Sequence, residues 1–275
     1  LGKMYMVRRV AVCFIVKDGE KYLKKNLNTF RDLVYDSGAS EVHFYAVEND
    51  STDSTKEDLQ SLYANGYIHN VEHLTLDGRV SWQVCRDSGL KHNCLARVDR
   101  LGMLRQRAVN AALSTGEYDY LCMIDMDFVA MPSLRDMFAF MDKHPHINGI
   151  FGLSTTVKQR KCVYDIAAST NLDLGLLLLS RSRYARVSSG FGGVGIYRVA
   201  AVRAAGATYV GTTKVRCEHM RFNSHLENLI IDTKFRPVYD GVCHLFYVDT
   251  LRTIVYIALV CLVMVYVVRA TKSRR

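Results

Sequence analysis

Along the first half of the chain, short apolar runs alternate with longer amphipathic stretches. Residues 10–16, VAVCFIV, form an unbroken apolar run that predicts a buried strand, and the polar turn KDGEK leads from it into a helix reaching about residue 35. A second strand is expected over 41–47. The polar cluster ENDSTDSTKED follows it, with Ser and Thr at N-cap spacing ahead of Glu57 and Asp58, the pattern of a turn that opens a helix through residue 64. Residues 71–76 predict a third strand and 78–91 an irregular stretch. VDRLGMLRQRAVNAAL then sets Leu101, Leu104, Ala108 and Ala112 at helical spacing. Strands and helices in alternation imply an α/β fold: a mostly parallel sheet with helices on both faces, whose ligands bind beyond the carboxyl ends of the strands.

Residues 120–128, YLCMIDMDF, carry the sharpest chemical signal. The apolar run predicts a buried strand, and it delivers Asp125 and Asp127 at its end. In a strand, positions i and i+2 point to one face, so the two carboxylates can aim at one point. Paired hard oxygens of this kind suit Mg²⁺ or Mn²⁺, with phosphate oxygens completing the shell. The acidic cluster at 48–53 stands at another predicted strand end, so two acidic features meet on one rim. Further on, 149–155 predicts a strand, 166–179 is apolar, and SSGFGGVGIY at 188–197 is a glycine-rich turn running into a strand. Those glycines lack the strand–turn–helix setting of a dinucleotide fingerprint. CEHMRFNSHLENL opens a helix, and RPVYDGVCHLFYV returns as a strand-like run carrying His244.

Composition adds two constraints. Thirty-six Lys and Arg against 27 Asp and Glu leave a formal charge of +9, which fits a polyanionic ligand such as a nucleotide phosphate. No zinc-finger spacing, Arg/Gly repeat or aromatic RNA-binding segment occurs, so a nucleic-acid partner is not expected. The eight cysteines form no CxxC pair, and several sit inside apolar runs. They predict core thiols in a reducing compartment, with Cys85 and Cys94 able to pair if the domain were lumenal. The chain starts at Leu1 without an initiator methionine, and an upstream piece is expected. At the other end, residues 253–268 carry no charge and are closed by Arg269, Lys272, Arg274 and Arg275. As a helix they reach roughly 24 Å, against a hydrocarbon core of about 30 Å. A single-pass C-terminal membrane anchor over 253–270 is the expectation, with a basic tail at 271–275, the globular domain over 1–250 and the basic flank on the cytosolic side. A terminal buried element is the alternative.

Order and chemistry together give a family likeness. The chain resembles nucleotide-sugar glycosyltransferases of the GT-A (Rossmann-like) fold, in particular the family 2-like enzymes. VENDSTDST is similar to their D-[DG]-x-S-x-D-x-T turn, Asp125-Met126-Asp127 to their metal-binding Asp-x-Asp, and Cys217-Glu218-His219 to their late acidic motif. It also resembles the fungal capsule-associated mannosyltransferase family. That likeness lies in RVDRLGMLRQRAVNAAL, with Gln106 where that family's helix has Asn, in VYD at 163–165, and in the Cys-Glu helix.

The resemblance implies a metal-dependent hexosyltransferase, mannose included, using a GDP- or UDP-sugar and a glycan or lipid-linked acceptor. It implies that Asp125 and Asp127 hold Mn²⁺ or Mg²⁺, with His244 as a third ligand. Glu48, Asp50 and Asp53 would face the nucleoside, with Asp53 also a cap for the next helix. Arg100, Arg105 and Arg107 would face the phosphates. Residues 100 and 107 share a helix face and 105 points elsewhere, so at most two of the three serve together. Glu218 is the implied catalytic carboxylate, as base in an inverting enzyme or acceptor-positioning group in a retaining one, and His219 is the other candidate base. Gly192 and Gly193 would let the acceptor sugar approach the backbone, and Trp82 would stack on a sugar. A nucleotidyltransferase, with the same kind of acidic nucleotide-binding sheet, and a non-catalytic tethered binding protein remain alternative readings.

Overall fold

The computed structural model describes residues 8–76, 95–157, 168, 182–213, 215 and 217–240. The expectations for His244, Trp82, 163–165, Cys85, Cys94 and residues 253–275 lie outside these. Among the described residues, no helix is long and apolar enough to cross a membrane.

The first half folds as its pattern predicts. Strand β1 (Arg8–Val16) leads to helix α1 (Leu23–Asp36), β2 (Ala39–Asn49), α2 (Thr55–Ala64) and β3 (Asn70–Leu74). Helix α3 (Leu95–Thr115) then precedes β4 (Tyr120–Asp125). Strands β3, β2, β1 and β4 lie side by side in that order, all parallel. Successive residues of β1 face opposite sides and every one is buried from Val10 to Phe14, which is why the run is apolar without alternation. Val10, Val12 and Phe14 pack with α1 under one face, and Ala11 and Cys13 pack with Leu104, Ala108 and Ala112 of α3 on the other.

The acidic strand is shorter than expected. It ends at Asp125, and the chain turns through Met126 and Asp127 before a second strand, β5 (Phe128–Ala130). Asp127 therefore stands in a turn and not two places along the strand. Strand alternation is not what brings the pair together.

The second half is more mixed than expected. Helix α4 (Arg135–Lys143), β6 (Gly149–Gly152), β7 (Thr155–Thr156), β8 (Tyr184–Val187) and β9 (Val194–Arg198) follow, then α5 (Val199–Ala204), α6 (Glu218–Asn223), β10 (Leu229–Asp232) and β11 (Val238–Tyr239). Strand β9 inserts antiparallel between β4 and β6, β10 pairs parallel with β6, and β8 closes the edge antiparallel. Among the described strands of this sheet six of eight share one direction, so it is mostly parallel, with β9 and β8 the reversals. A strand buried on both faces has the same apolar look in either direction, so the residue pattern of β9 could not announce its reversal. A small second sheet sets β11 between β5 and β7, beside the acidic turn.

Candidate active site

The parallel strands β1, β2 and β4 end on one rim, and the acidic residues stand there. Asp125, the last residue of β4, has its backbone N–H held by the Gly193 carbonyl at 2.9 Å. Its Oδ1 accepts a hydrogen bond from Arg105 Nη2 at 2.9 Å. Arg105 Nε donates to Glu218 Oε1, also at 2.9 Å. One guanidinium, presented by α3, thus bridges the end of β4 and the first residue of α6. The cluster grades outward: the Arg105 and Glu218 side chains are 6% and 3% exposed, and Asp125 is 19% exposed. Burial works against the Arg105 charge, but Asp125 and Glu218 hold it firmly protonated. Nη1 of Arg105 is buried with no hydrogen-bond partner, and the guanidinium carbon lies 5.1 Å from the centre of the Phe191 ring.

Asp127 sits close enough to feel its neighbour. Burial first, then the charges of Asp125 and Asp240, push its carboxyl up to about 7. Asp240, at the end of β11, donates its backbone N–H to the Asp127 carbonyl at 3.1 Å, and its carboxylate accepts from Lys21 Nζ and the Tyr22 hydroxyl. The turn and the small second sheet, not strand alternation, thus set the acidic pair. The Asp240 N–H bond to Asp127 brings the end of β11 to the acidic turn.

His219 is enclosed. It stacks on Phe191 at 3.5 Å between ring centres, its Nδ1 is 3.3 Å from the Tyr209 hydroxyl, and its Nε2, buried without a hydrogen bond, is 3.7 Å from Glu218 Oε1. Burial first, then the Arg105 charge, hold its pKa well below the ordinary value, so the imidazole is neutral. It lies behind Glu218.

The other predicted nucleoside contacts are built into the protein itself. Glu48 is fully buried: it accepts the Ser51 N–H at 2.7 Å and faces His73 Nδ1 at 3.0 Å. Its place inside the turn corrects the expectation of a ligand-facing carboxylate. Asp50, at φ +51°, accepts from the Leu76 N–H at 3.0 Å and from Asn49 at 3.2 Å. Burial raises its pKa, but those bonds and the charges of Lys17 and Arg100 outweigh it and hold the carboxyl below the usual range. Asp53 accepts the Thr55 N–H at 3.0 Å at the start of α2 and the Glu20 N–H at 3.0 Å. It closes the turn just ahead of the N-cap residue Ser54 and ties the loops after β1 and β2 together.

Among the arginines, Arg105 does point elsewhere than Arg107, as the helix spacing predicts, and it is Arg105 that faces the acidic strand. Arg105 reaches the acidic cluster, whereas Arg107 turns outward to pair with Glu72 on β3. Arg100 lies near enough to Asp50 for its charge to act there.

The glycine-rich turn also serves the protein itself. A Cβ on Gly192 (φ +57°) would fall 2.4 Å from the Gly152 carbonyl oxygen, and one on Gly193 (φ +76°) 2.3 Å from the Tyr239 ring. These glycines let the turn close on β6 and β11 and support Asp125. Sequence reasoning passed over Phe191, Tyr209 and Asp240, and it noted Gln106 without giving it a role. An aromatic residue flanked by glycines, and an acid ending the last strand before His244, were the available signals.

No family model matches the chain, and no curated protein matches it. Solved structures share its fold. TarS 1–349 of S. aureus is similar over 84% of this chain and 60% of its own length, at 16% identity and a TM-score of 0.52. In complex with UDP, TarS 1–349 matches over 85% and 60% at 17% identity and 0.52. In complex with UDP-GlcNAc it matches over 88% and 60% at 14% identity and 0.51. The chain thus spans 60% of the length of these structures, and the likeness shows a shared fold.

Proposed function

We propose that the chain is a metal-dependent glycosyltransferase of the GT-A fold, moving a hexose from a UDP- or GDP-sugar to a glycan or lipid-linked acceptor. The observation that carries this reading is the meeting of Asp125, Arg105 and Glu218 on the rim where the parallel strands end. Fold likeness to TarS, solved with UDP and with UDP-GlcNAc, supports a nucleotide-sugar donor.

The acidic pair fits a divalent cation on its electrostatics. Asp127 is pushed up to about 7 by burial and by the Asp125 charge, the strain of two converging carboxylates that a cation would relieve. Among the described residues, no three acidic, His or Cys side chains are arranged to hold an ion; donor phosphate oxygens are assigned the rest of the shell, with His244 outside the described residues. Mn²⁺ or Mg²⁺ at Asp125 and Asp127 would neutralise the charge gathering on the departing nucleoside diphosphate.

The protein's own groups do the rest. Arg105 holds Oε1 of Glu218, and Oε2, which accepts from Cys217 Sγ at 3.4 Å, is assigned to the acceptor hydroxyl. In an inverting enzyme Glu218 takes that proton; in a retaining one it orients the hydroxyl. His219, enclosed by its stack on Phe191, is assigned to packing beside Glu218, and the base role is assigned to Glu218. Arg100 is assigned to the donor phosphates, beside Asp50.

The test is a thermal-shift panel of UDP- and GDP-sugars with and without Mn²⁺, followed by product analysis. A shift with at least one donor that needs Mn²⁺, and release of nucleoside diphosphate on adding acceptor, is expected. Asp125→Ala with Asp127→Ala should remove both while the protein stays folded by circular dichroism. Released pyrophosphate would point to nucleotidyl transfer instead, and full turnover in the double variant would overturn the metal assignment.

A further inference from the structure

A buried arginine touching both a metal-type carboxylate and a base-type carboxylate is not needed for phosphate binding, the role its position on α3 suggested. Arg105 reaches Asp125 with Nη2 and Glu218 with Nε, each at 2.9 Å, and the Phe191 ring lies against the guanidinium. The same ring stacks on His219, and the turn carrying it also holds the Asp125 N–H through Gly193. Arg105, Glu218, His219 and Phe191 are all buried, so the guanidinium cannot move away into water when one of its partners changes. It can only redistribute between them.

We propose that Arg105 is a positioning residue that couples cation binding at Asp125 to the placement of Glu218. This rests on the glycosyltransferase reading above. The coupling has a definite sign. Arg105 and a divalent cation compete for Asp125, because both are positive and the Oδ1 lone pairs that accept from Nη2 also serve a cation. Glu218 draws the guanidinium the other way. With Glu218 charged, Arg105 is shared and Asp125 yields more readily to the ion. With Glu218 neutral, Arg105 falls wholly to Asp125 and opposes the ion. In the other direction, an ion at Asp125 leaves Arg105 committed to Glu218, and the carboxylate is fixed for the acceptor at the moment the donor site is complete.

The test is a double-mutant cycle read on Mn²⁺ affinity, by electron paramagnetic resonance of free Mn²⁺ in the presence of UDP, with no turnover required. Arg105→Met is expected to tighten Mn²⁺ about tenfold, and Glu218→Gln to loosen it by a similar factor, the size usual for coupled charged groups in contact. In the Arg105→Met background, Glu218→Gln is expected to change Mn²⁺ affinity by less than about twofold. An arginine with only a structural role would lower the melting temperature without producing this dependence of one substitution on the other. If Glu218→Gln loosens Mn²⁺ equally in both backgrounds, or Arg105→Met weakens the ion, the coupling is overturned while the glycosyltransferase reading stands. If wild-type protein that binds UDP shows no Mn²⁺ site, the metal reading fails and takes the coupling with it. Should Arg105→Met not fold, Arg105→Lys takes its place. Lysine keeps the charge but serves one carboxylate at a time, so the same pattern is expected at reduced size.

Discussion

At the residue scale, the candidate site is shaped as much by what lacks a side chain as by what carries one. Gly193 places its carbonyl on the Asp125 N–H, and its own Cα faces the Tyr239 ring so closely that a methyl group would overlap it. Its φ of +76° adds a conformational cost for any other residue. Gly193→Ala is therefore expected to destabilise the fold by about 2–4 kcal/mol, from overpacking and a strained backbone together. The denaturant midpoint in a urea titration measures it. A change below about 0.5 kcal/mol, the usual range of surface substitutions, would mean that the turn relaxes around the methyl group and does not brace Asp125 rigidly.

At the element scale, α3 is the part that assembles the site, and its residues divide the work by face. Leu104, Ala108 and Ala112 bind it to the sheet, Arg105 faces the acidic cluster, and Arg107 pairs with β3. Gln106 fastens the helix to the segment before α6: its Oε1 accepts from the Tyr209 N–H at 2.8 Å and from the Thr208 hydroxyl at 3.0 Å. Gly102, one turn earlier, leaves room for the Tyr209 carbonyl, which itself accepts from Arg221 on α6. Gln106→Ala strips the Tyr209 N–H of its partner and should cost about 1–2 kcal/mol, read as a lowered melting temperature. An unchanged melting temperature would show that Tyr209 is held by Arg221 and packing alone. The amphipathic spacing made this helix legible from the sequence, and so did its nearness to the acidic strand. Which of its three arginines turns toward that strand was not legible. Residues 100 and 107 share a face, but the chain across from that face belongs to β2 and β3, and only the packing of α3 on the sheet decides that 105 looks toward β4.

At the scale of the whole molecule, periodicity disclosed the parallel half because β1, β2 and β3 each come before a helix, a local alternation. The mixed half depends on β9 crossing between β4 and β6, a long-range pairing that no local pattern records. The outer part of the parallel half, at β2 and the segment leading into β3, also holds a pH-sensitive device. His43 and His69 stack with ring centres 3.8 Å apart. His69 Nδ1 accepts the Phe44 N–H at 3.3 Å, and an accepting nitrogen must be unprotonated. Around the pair stand the Tyr118 hydroxyl at 2.7 Å from His43 Nδ1, Glu41 at 4.0 Å from its Nε2, and Arg9. Burial lowers both histidine pKa values from the ordinary 6.5; Arg9 adds to the effect at His43, where Glu41 opposes it, and His43 adds to it at His69. The unfolded chain therefore binds more protons than the folded one as pH falls below 6.5, so stability is complete above that value and declines with acidification through the lowered folded values. The slope is at most about 1.4 kcal/mol per pH unit for each proton taken up, and less here because the rings are partly exposed to solvent. The pair's share of the melting temperature between pH 8 and pH 5 (a range of about three units spanning the histidine titration) should fall on the acid side, with buried His219 adding to the fall and Asp127, raised to about 7, opposing it. His43→Gln with His69→Gln should flatten that fall while leaving the alkaline plateau in place. A slope unchanged by the double substitution would assign the acid sensitivity to buried His219 and the carboxylates and remove the stacked pair from the account.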